Sequence, residues 1–413
     1  MNEIRNLHTD VLVVGAGPAG SSAATWLARA NRDVLLVDAE VFPRDKACGD
    51  GLTPRAMAEL GRLGMQDFIK TLPVNKGLRA HGFGQQLHLP WPGGSLPTTG
   101  SASPRTVLDA EIRKIALAAG AHTQEGAKAF EVEFNGDKLA AVLFKQGENT
   151  LRVSANSFVI ADGAKSQLGR LLGREWHKET VYGVAARAYI DSEYSDDQWI
   201  SSHLELRGTE GEILSGYGWL FPLGNGQMNI GVGTLATTKR PADINLRQLI
   251  GHYTDQQRDT WKLGKEIQNP WSALLPMGGA VSGVAGNNWV LIGDAAGCVN
   301  PLNGEGIDYG LETGRLAAEL ISANPKSLLG WADILREHYG YAFSIARRLA
   351  GIVVNPELLR TLGPIGMRTQ FGMQIALRLM GNLVTEEDND VVARAWKIAG
   401  KASVSVDSRK PFS

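Results

Sequence analysis

The sequence predicts an α/β protein built from a dinucleotide-binding Rossmann-like domain in several pieces, an inserted β-sheet domain and a helical C-terminal region. Three observations predict it. The chain opens with an apolar run that breaks into Gly15-x-Gly17-x-x-Gly20 and a helix of small residues. Two later apolar runs, starting at Ser157 and Trp289, each end in an acid beside a glycine, Asp162-Gly163 and Gly293-Asp294. From about 180 to 275 the pattern alternates as strands do, and beyond about 325 it reads helical to near Ala399.

The first unit is DVLVVGAGPAG, Asp10 to Gly20. Strand Val11 to Val14 delivers the chain to a tight turn that needs Gly15. Gly17 lets main chain approach a pyrophosphate, and Gly20 with Ala19, Ala23 and Ala24 lets helix and sheet pack closely. The helix N-terminus then faces the phosphates with free N–H groups. A second strand, Val34 to Val37, ends in Asp38, 18 residues after Gly20, where a carboxylate accepts hydrogen bonds from an adenosine ribose. Nicotinamide and flavin dinucleotides share this half. Asp162 and Asp294 bear on the choice, because strand-end acids suit the hydroxyls of a ribityl chain. The other open reading is that each caps the helix that follows.

Residues 55 to 66 and 104 to 119 read as helices. Strands are expected at Ala127 to Phe134 and Leu139 to Phe144, joined by Asn135-Gly136, a hairpin signal. More are expected at Tyr182 to Tyr189, His203 to Arg207, Tyr217 to Pro222 and Gln227 to Thr234. The nucleotide-binding pieces are assigned to 1–75, 100–175 and 280–325, the sheet domain to 76–99 and 176–279, and the helical region to 326–413. The tail Ala402 to Ser413 is expected to be loose.

At 413 residues, 43% hydrophobic and 21% charged, the chain can bury a large core. A formal charge of −1 gives no bulk attraction to nucleic acid. Two cysteines, Cys48 and Cys298, argue against a disulfide scaffold. The opening MNEIRNLHTD lacks the features of a signal peptide, and no apolar stretch reaches the roughly eighteen residues of a spanning helix. A cytosolic or peripheral protein is expected.

The chain resembles the FAD-dependent oxidoreductases of the p-hydroxybenzoate hydroxylase fold, and within them the geranylgeranyl reductase family. The resemblance covers almost the whole chain and rests on five motifs: GAGPAG at Gly15 to Gly20, PRDKACGDGL at Pro43 to Leu52, ADGAKS at Ala161 to Ser166, GYGWLFP at Gly216 to Pro222, and GDAAGCVNPLNGEGI at Gly293 to Ile307. Details around Cys48, Asp50 to Ala56 and Tyr217 to Pro222 look most like the actinobacterial menaquinone reductases, which saturate one isoprene double bond of the quinone tail. The resemblance implies FAD as cofactor and menaquinone as substrate. It implies cofactor contacts from Gly15, Ala16, Gly17, Pro18, Ala19, Gly20, Asp38, Lys46, Ala47, Cys48, Gly49, Arg105, Ala129, Asp162 and Gly163. In the last motif it implies Gly293, Asp294, Pro301, Gly304, Glu305, Gly306 and Ile307. A helix opening near Glu305 would turn its free N–H groups toward the N1/O2 edge of a reduced flavin, the alternative being a plain helix start. The chain has no second glycine-rich fingerprint, so the electron donor, NADPH or a redox protein, is expected to visit transiently.

An isolated alkene is electron-rich and takes a hydride only if a proton arrives at the neighbouring carbon. Some acid must supply it. Cys48 is the first candidate, with a buried inert thiol as the alternative reading, and Asp50 is the second. Tyr217 and Trp219, with Phe221, fall on one face of a strand and would steady positive charge at the tertiary carbon; the plain alternative is an aromatic core stripe. Cys298 lies in the opposite loop, and a redox pair with Cys48 is conceivable. Arg105 matches a family arginine that reaches the cofactor.

For a lipid substrate, peripheral membrane contact is expected. Met367, Phe371, Ile375, Leu379 and Leu383 recur every fourth residue in a region holding Arg336, Arg347, Arg348, Arg360, Arg368 and Arg378. Such a basic amphipathic face either lies at an interface or packs on the protein's own body. Two other function classes fit the fold: an aromatic hydroxylase or halogenase, and a prenyl escort protein without cofactor. GYGWLFP is similar to a halogenase tryptophan motif but has Tyr217 in place of its first tryptophan. Intact Gly15, Gly17, Gly20, Asp38 and Asp294 speak against the escort.

Overall fold

The computed structural model describes residues 4–242, 244–323, 327–353 and 355–413. Four parallel strands form the centre of the first sheet, in the order Val34–Val37, Ile4–Val14, Asn149–Ile160 and Trp289–Leu291. Their apolar runs are buried on both faces; Val11, Leu12, Val13, Phe158, Val159 and Ile160 are all 0% exposed. The strands are in register at their carboxyl ends, where Val14 pairs with both Val37 and Ile160, and Ile160 with Leu291. The glycine loop, Asp38, Asp162 and Asp294 therefore leave one edge of one sheet together. The hairpin Lys128–Asn135 and Lys138–Gln146 extends the sheet antiparallel.

Helix Pro18–Arg29 lies against helix Ile307–Ala323 along small residues. A Cβ added at Gly314 would sit 2.5 Å from the Ala19 carbonyl oxygen, so any larger residue would push the helices apart.

The second sheet has the order Gln268–Pro276, Tyr182–Asp191, Gln227–Ala236, Gly216–Pro222, Ile200–His203, Gly77–Gly82 and Gln85–Pro90. Residues 77–90 thus join it from far upstream. One face carries Ala186, Ala188, Ile190, Leu220, Ile230 and Val232, packed under Leu249, Ile250 and Tyr253 of helix Leu246–Gln257. The other face turns toward the first sheet.

Several elements differ from their sequence expectation. The strand expected at His203 to Arg207 is Ile200–His203, and the chain then closes a loop through a bridge from Arg207 to Ile213. The helix expected over 55 to 66 stops at Arg62, where Gly64 takes φ +83°, and a short helix follows at Gln66–Ile69. The tail is ordered by packing: helix Val391–Ser405 runs past Ala402, and Phe412 is 2% exposed, its N–H bonded to the Gly279 carbonyl at 2.9 Å. The every-fourth-residue repeat does not form one helix. Helix Pro356–Gly366 ends before Met367, extended Thr369 interrupts, and helix Gln370–Met380 restarts. Met367 and Leu383 turn inward, at 2% and 1% exposed, while Phe371 stands out at 79%.

Candidate active site

The sheet edge gathers the expected corners. Gly15 takes φ +103°, and a Cβ there would lie 2.3 Å from the Ala161 carbonyl oxygen, so only glycine lets the first and second corners touch. A Cβ at Gly163 would meet the Lys46 ammonium at 2.9 Å, and that ammonium lies 3.8 Å from Asp294. Gly306 sits beside Asp294 in turn, a Cβ there falling 3.1 Å from Oδ1. Asp38 accepts from the Ala16 N–H at 2.6 Å and the Glu40 N–H at 2.9 Å. A carboxylate has about four lone-pair sites, so two stay available to ribose hydroxyls. Asp162 caps: its oxygens accept from the Ser166 hydroxyl at 2.6 Å and the Leu168 N–H at 2.8 Å. Ala129 lies in the hairpin strand whose approach is tied to Asp38, the Ala127 N–H donating to the Asp38 carbonyl.

Beside the glycine loop stands a charge cluster only partly legible in the sequence. Arg105 is 5% exposed and donates to both oxygens of Asp109, at 2.6 and 2.7 Å. Arg44 donates to the same carboxylate at 2.6 Å. Two guanidiniums against one carboxylate leave net positive charge, and a Cβ on Gly17 would lie 3.4 Å from Arg44 and 3.8 Å from Arg105. Backbone N–H groups, a helix start and this cation pair suit a pyrophosphate. These residues fit a dinucleotide such as FAD.

The second sheet presents its open face to these loops in rows fixed by register. Phe221, Asn229 and Tyr189 form one row; Trp219, Gly231, Arg187 and Trp271 the next; Tyr217, Gly233, Ala185 and Ala273 the third. Trp219 lies over its neighbour, since a Cβ on Gly231 would come within 2.1 Å of the indole. The rings of Tyr217 and Phe221 flank it at 5.8 and 6.3 Å. The Tyr217 hydroxyl donates to the Asn303 carbonyl at 2.5 Å, tying the aromatic strand to the loop before helix Ile307–Ala323. Thr53, which precedes helix Pro54–Arg62, donates to Glu305 of that loop, whose carboxyl is held above its ordinary range by burial, and Pro301 there is buried.

Between sheet and glycine loop lies the segment Lys46 to Gly51. A Cβ on Gly51 would press to 2.9 Å from the Phe221 ring, and one on Gly49 would meet Trp219 and Phe221 at 3.4 Å. The sheet grips this segment directly. Arg187 donates to the Lys46 carbonyl at 2.8 Å, and Asn229 donates to the Cys48 carbonyl and to Asp50 Oδ2, both at 2.9 Å. Tyr189 donates its hydroxyl to Asp50 Oδ2 at 2.7 Å, and the Trp219 indole N–H donates to Asn229 Oδ1 at 2.9 Å.

Cys48 is half-buried, and its sulfur accepts from the Asp50 N–H at 3.4 Å. Burial pushes its thiol up, with Arg105 opposing. Asp50 is 0% exposed, and burial raises its carboxyl to about 6 against the opposing pull of Tyr189, Asn229, Arg187 and Arg105. Cys298 sits in the core of the first domain and Cys48 in a separate cluster with Leu52, Leu60 and Ile112; both thiols are free. Asn229, Tyr189, Arg187, Arg44 and Asp109 escaped the sequence reading. A signal existed for two of them: Arg187 and Asn229 are polar interruptions in otherwise apolar strands.

Comparison with known proteins adds relatives to this geometry. Residues 8–327 match the FAD binding domain family. The chain is 58% identical over 411 residues to the menaquinone reductase of Mycolicibacterium smegmatis, covering 99% of this chain and 100% of that one. It is 56% identical over 404 residues to the menaquinone reductase of Mycobacterium tuberculosis, covering 98% of each. Among solved structures, a geranylgeranyl bacteriochlorophyll reductase-like protein of Thermoplasma acidophilum superimposes with a TM-score of 0.78 at 19% identity, over 96% of this chain and 100% of that one.

Proposed function

Because the chain belongs to the FAD binding domain family, it binds FAD, and on that premise we propose that it reduces one isoprene double bond in the tail of menaquinone. The observation that carries this reading is the contact of Gly49 and Gly51, in the segment Lys46 to Gly51, with Trp219 and Phe221 of the strand that also carries Tyr217. Cofactor loops and an apolar, ring-lined sheet face thereby share one boundary. The near-full-length identity to menaquinone reductases supports the substrate class.

Bound FAD, once reduced, supplies a hydride. The chain's residues do the rest. Arg44, Arg105 and the glycine loop hold the pyrophosphate; Asp38 holds the adenosine ribose; Asp294 offers an acceptor to the ribityl chain, with Lys46 at hand as counter-charge. Gly231 and Gly233 make room for the Trp219 indole, and Ala185 and Ala273 beside them keep the rest of that row low enough for a prenyl chain to lie along it. The rings of Tyr217 and Trp219 exclude water and steady positive charge.

A prenyl tail leaves a bilayer only at a cost of about 0.8 kcal/mol per CH₂, so the protein meets its substrate at the membrane surface. No helix among the described residues is long and apolar enough to cross. The surface offered is the corner of helices Pro356–Gly366 and Gln370–Met380, where Leu362, Ile365 and Phe371 are exposed beside exposed Arg360 and Arg368. The electron donor is a transient visitor, NADPH or a redox protein.

The test is direct. The purified protein should be yellow, with the flavin band near about 450 nm. Reduced anaerobically and incubated with menaquinol, it should return, once the ring is reoxidised, a quinone whose tail is heavier by two hydrogens. An unchanged tail mass with the flavin fully loaded would overturn the substrate assignment.

A further inference from the structure

We propose that Asp50, and not Cys48, delivers the proton to the alkene, with Tyr189, Asn229 and Trp219 as the positioning residues that aim it. This rests on the prenyl-reductase reading above.

The assignment comes from counting hydrogen-bond sites. Asp50 is wholly buried, and its Oδ2 already accepts two donors, the Tyr189 hydroxyl and the Asn229 amide. A proton on Oδ2 would collide with them. Oδ1 is equally buried and has no partner. An unpartnered buried carboxylate oxygen is costly, and that cost vanishes when the oxygen carries a proton. The acid proton of Asp50 thus belongs on Oδ1.

Position supports the same role. Asp50 sits between Gly49 and Gly51, in the stretch that touches Trp219 and Phe221, with its own backbone at φ +61°. Asp tolerates the left-handed region better than most residues, yet the conformation is strained and has to be held. It is held by sheet and loop together: the Asn229 amide bridges the Cys48 carbonyl and the Asp50 carboxylate, and the Trp219 indole fixes Asn229 in turn. The aromatic row and the acid are therefore aligned by one hydrogen-bond chain. Cys48 is poorly equipped by comparison, because its sulfur accepts the Asp50 N–H and burial lifts its thiol further from neutral.

The charged and titratable groups facing Asp50 come from each packed element: Arg187 and Tyr189 from strand Tyr182–Asp191, Arg105 from helix Arg105–Ala118, and Cys48 from its own loop. The two arginines oppose protonation, and loss of water favours it and prevails.

The step balances. One alkene carbon takes the hydride that reduced FAD supplies, and the other takes the proton from Asp50 Oδ1. The π bond is lost, two C–H bonds form, the flavin ends oxidised by two electrons, and Asp50 ends as a carboxylate held by Tyr189 and Asn229. Water later returns its proton.

The experiment compares wild type, D50N and C48A as loaded flavoproteins. Each is reduced anaerobically and mixed with menaquinol, whose already reduced ring cannot oxidise the flavin, so that flavin reoxidation and a two-hydrogen mass gain report the tail alone. D50N is expected to slow tail saturation by about 100-fold or more, the ordinary worth of a general acid, with flavin content unchanged. C48A, whose side chain borders the cofactor site, is expected to slow tail saturation clearly less than D50N and to keep the infrared carbonyl band that D50N loses. Independently of turnover, the wild-type-minus-D50N infrared difference of the oxidised protein should show the carbonyl band of a protonated carboxyl that shifts in D₂O and fades as pH rises through about 6, since the buried Asp308 and Glu305 carboxyls are common to both and cancel. Equal rates for D50N and wild type, a missing band, or a C48A loss as large as that of D50N would each overturn the assignment. A wild type that leaves the tail unreduced would instead overturn the substrate reading.

Discussion

Asp109 is the residue on which the cofactor end of the site turns, because two buried or nearly buried arginines share its carboxylate. Asp109→Asn should leave Arg105 and Arg44 facing each other uncompensated, and breaking such a buried pair costs about 3–5 kcal/mol; thermal unfolding of the apoprotein measures it. Asp50 makes a second prediction by linkage. Its carboxyl is raised from 3.8 to about 6 in the folded protein, so folding favours the protonated form. The stability this gives is complete below about pH 4, is lost as pH rises through about 6, and amounts to about 3 kcal/mol over that window. Asp50→Asn should remove this slope, so denaturant titrations of wild type and variant should draw apart between those two pH values and run parallel above. An unchanged slope in D50N would refute it. Asp308, wholly buried and raised to about 7, loses stability in the same direction at higher pH and stays in both proteins, so the difference isolates Asp50.

At the scale of elements, the strand Gly216–Pro222 works because its partner strand is glycine where the indole lies. Gly231→Val should displace Trp219 and, through Asn229, the Asp50 carboxylate. Displacement of about 1 Å can cost about 100-fold in rate, and the check is tail saturation measured at full flavin content. The helices at the exposed corner make another prediction: replacing Ile365 and Phe371 together with Glu should weaken co-sedimentation with anionic vesicles by about 10-fold or more and leave soluble flavin binding intact. These elements also show what the sequence could and could not disclose. The three glycine-and-acid corners were legible because strand, turn and acid are local in the chain, and parallel pairing then brings their ends together. Alternation in Tyr217, Trp219 and Phe221 told which residues share a face. It could not tell what that face meets, so Tyr189 and Asn229, partners of Asp50 from more than a hundred residues away, stayed hidden. The every-fourth-residue repeat at Met367 to Leu383 misled for the opposite reason: a periodic pattern assumes an unbroken helix, and extended Thr369 breaks it.

At the scale of the whole molecule, the two sheets share a boundary along the segment Lys46 to Gly51. The segment Lys46 to Gly51 continues from the first sheet, yet Arg187, Tyr189 and Asn229 of the second sheet hold its carbonyls and its acid. Phe412 adds a second clamp, filling the space beside Gly279 where the chain returns from one sheet to the other. Phe412→Ala should cost about 3 kcal/mol or more, as large-to-small changes of a buried phenylalanine do, read as a drop in the midpoint of thermal unfolding. The grip of one sheet on the other's loop has a mechanical corollary. The lobes cannot swing apart like jaws without tearing the acid from its holders, so heating should yield one calorimetric endotherm rather than two, and proteases should find no intact half to release.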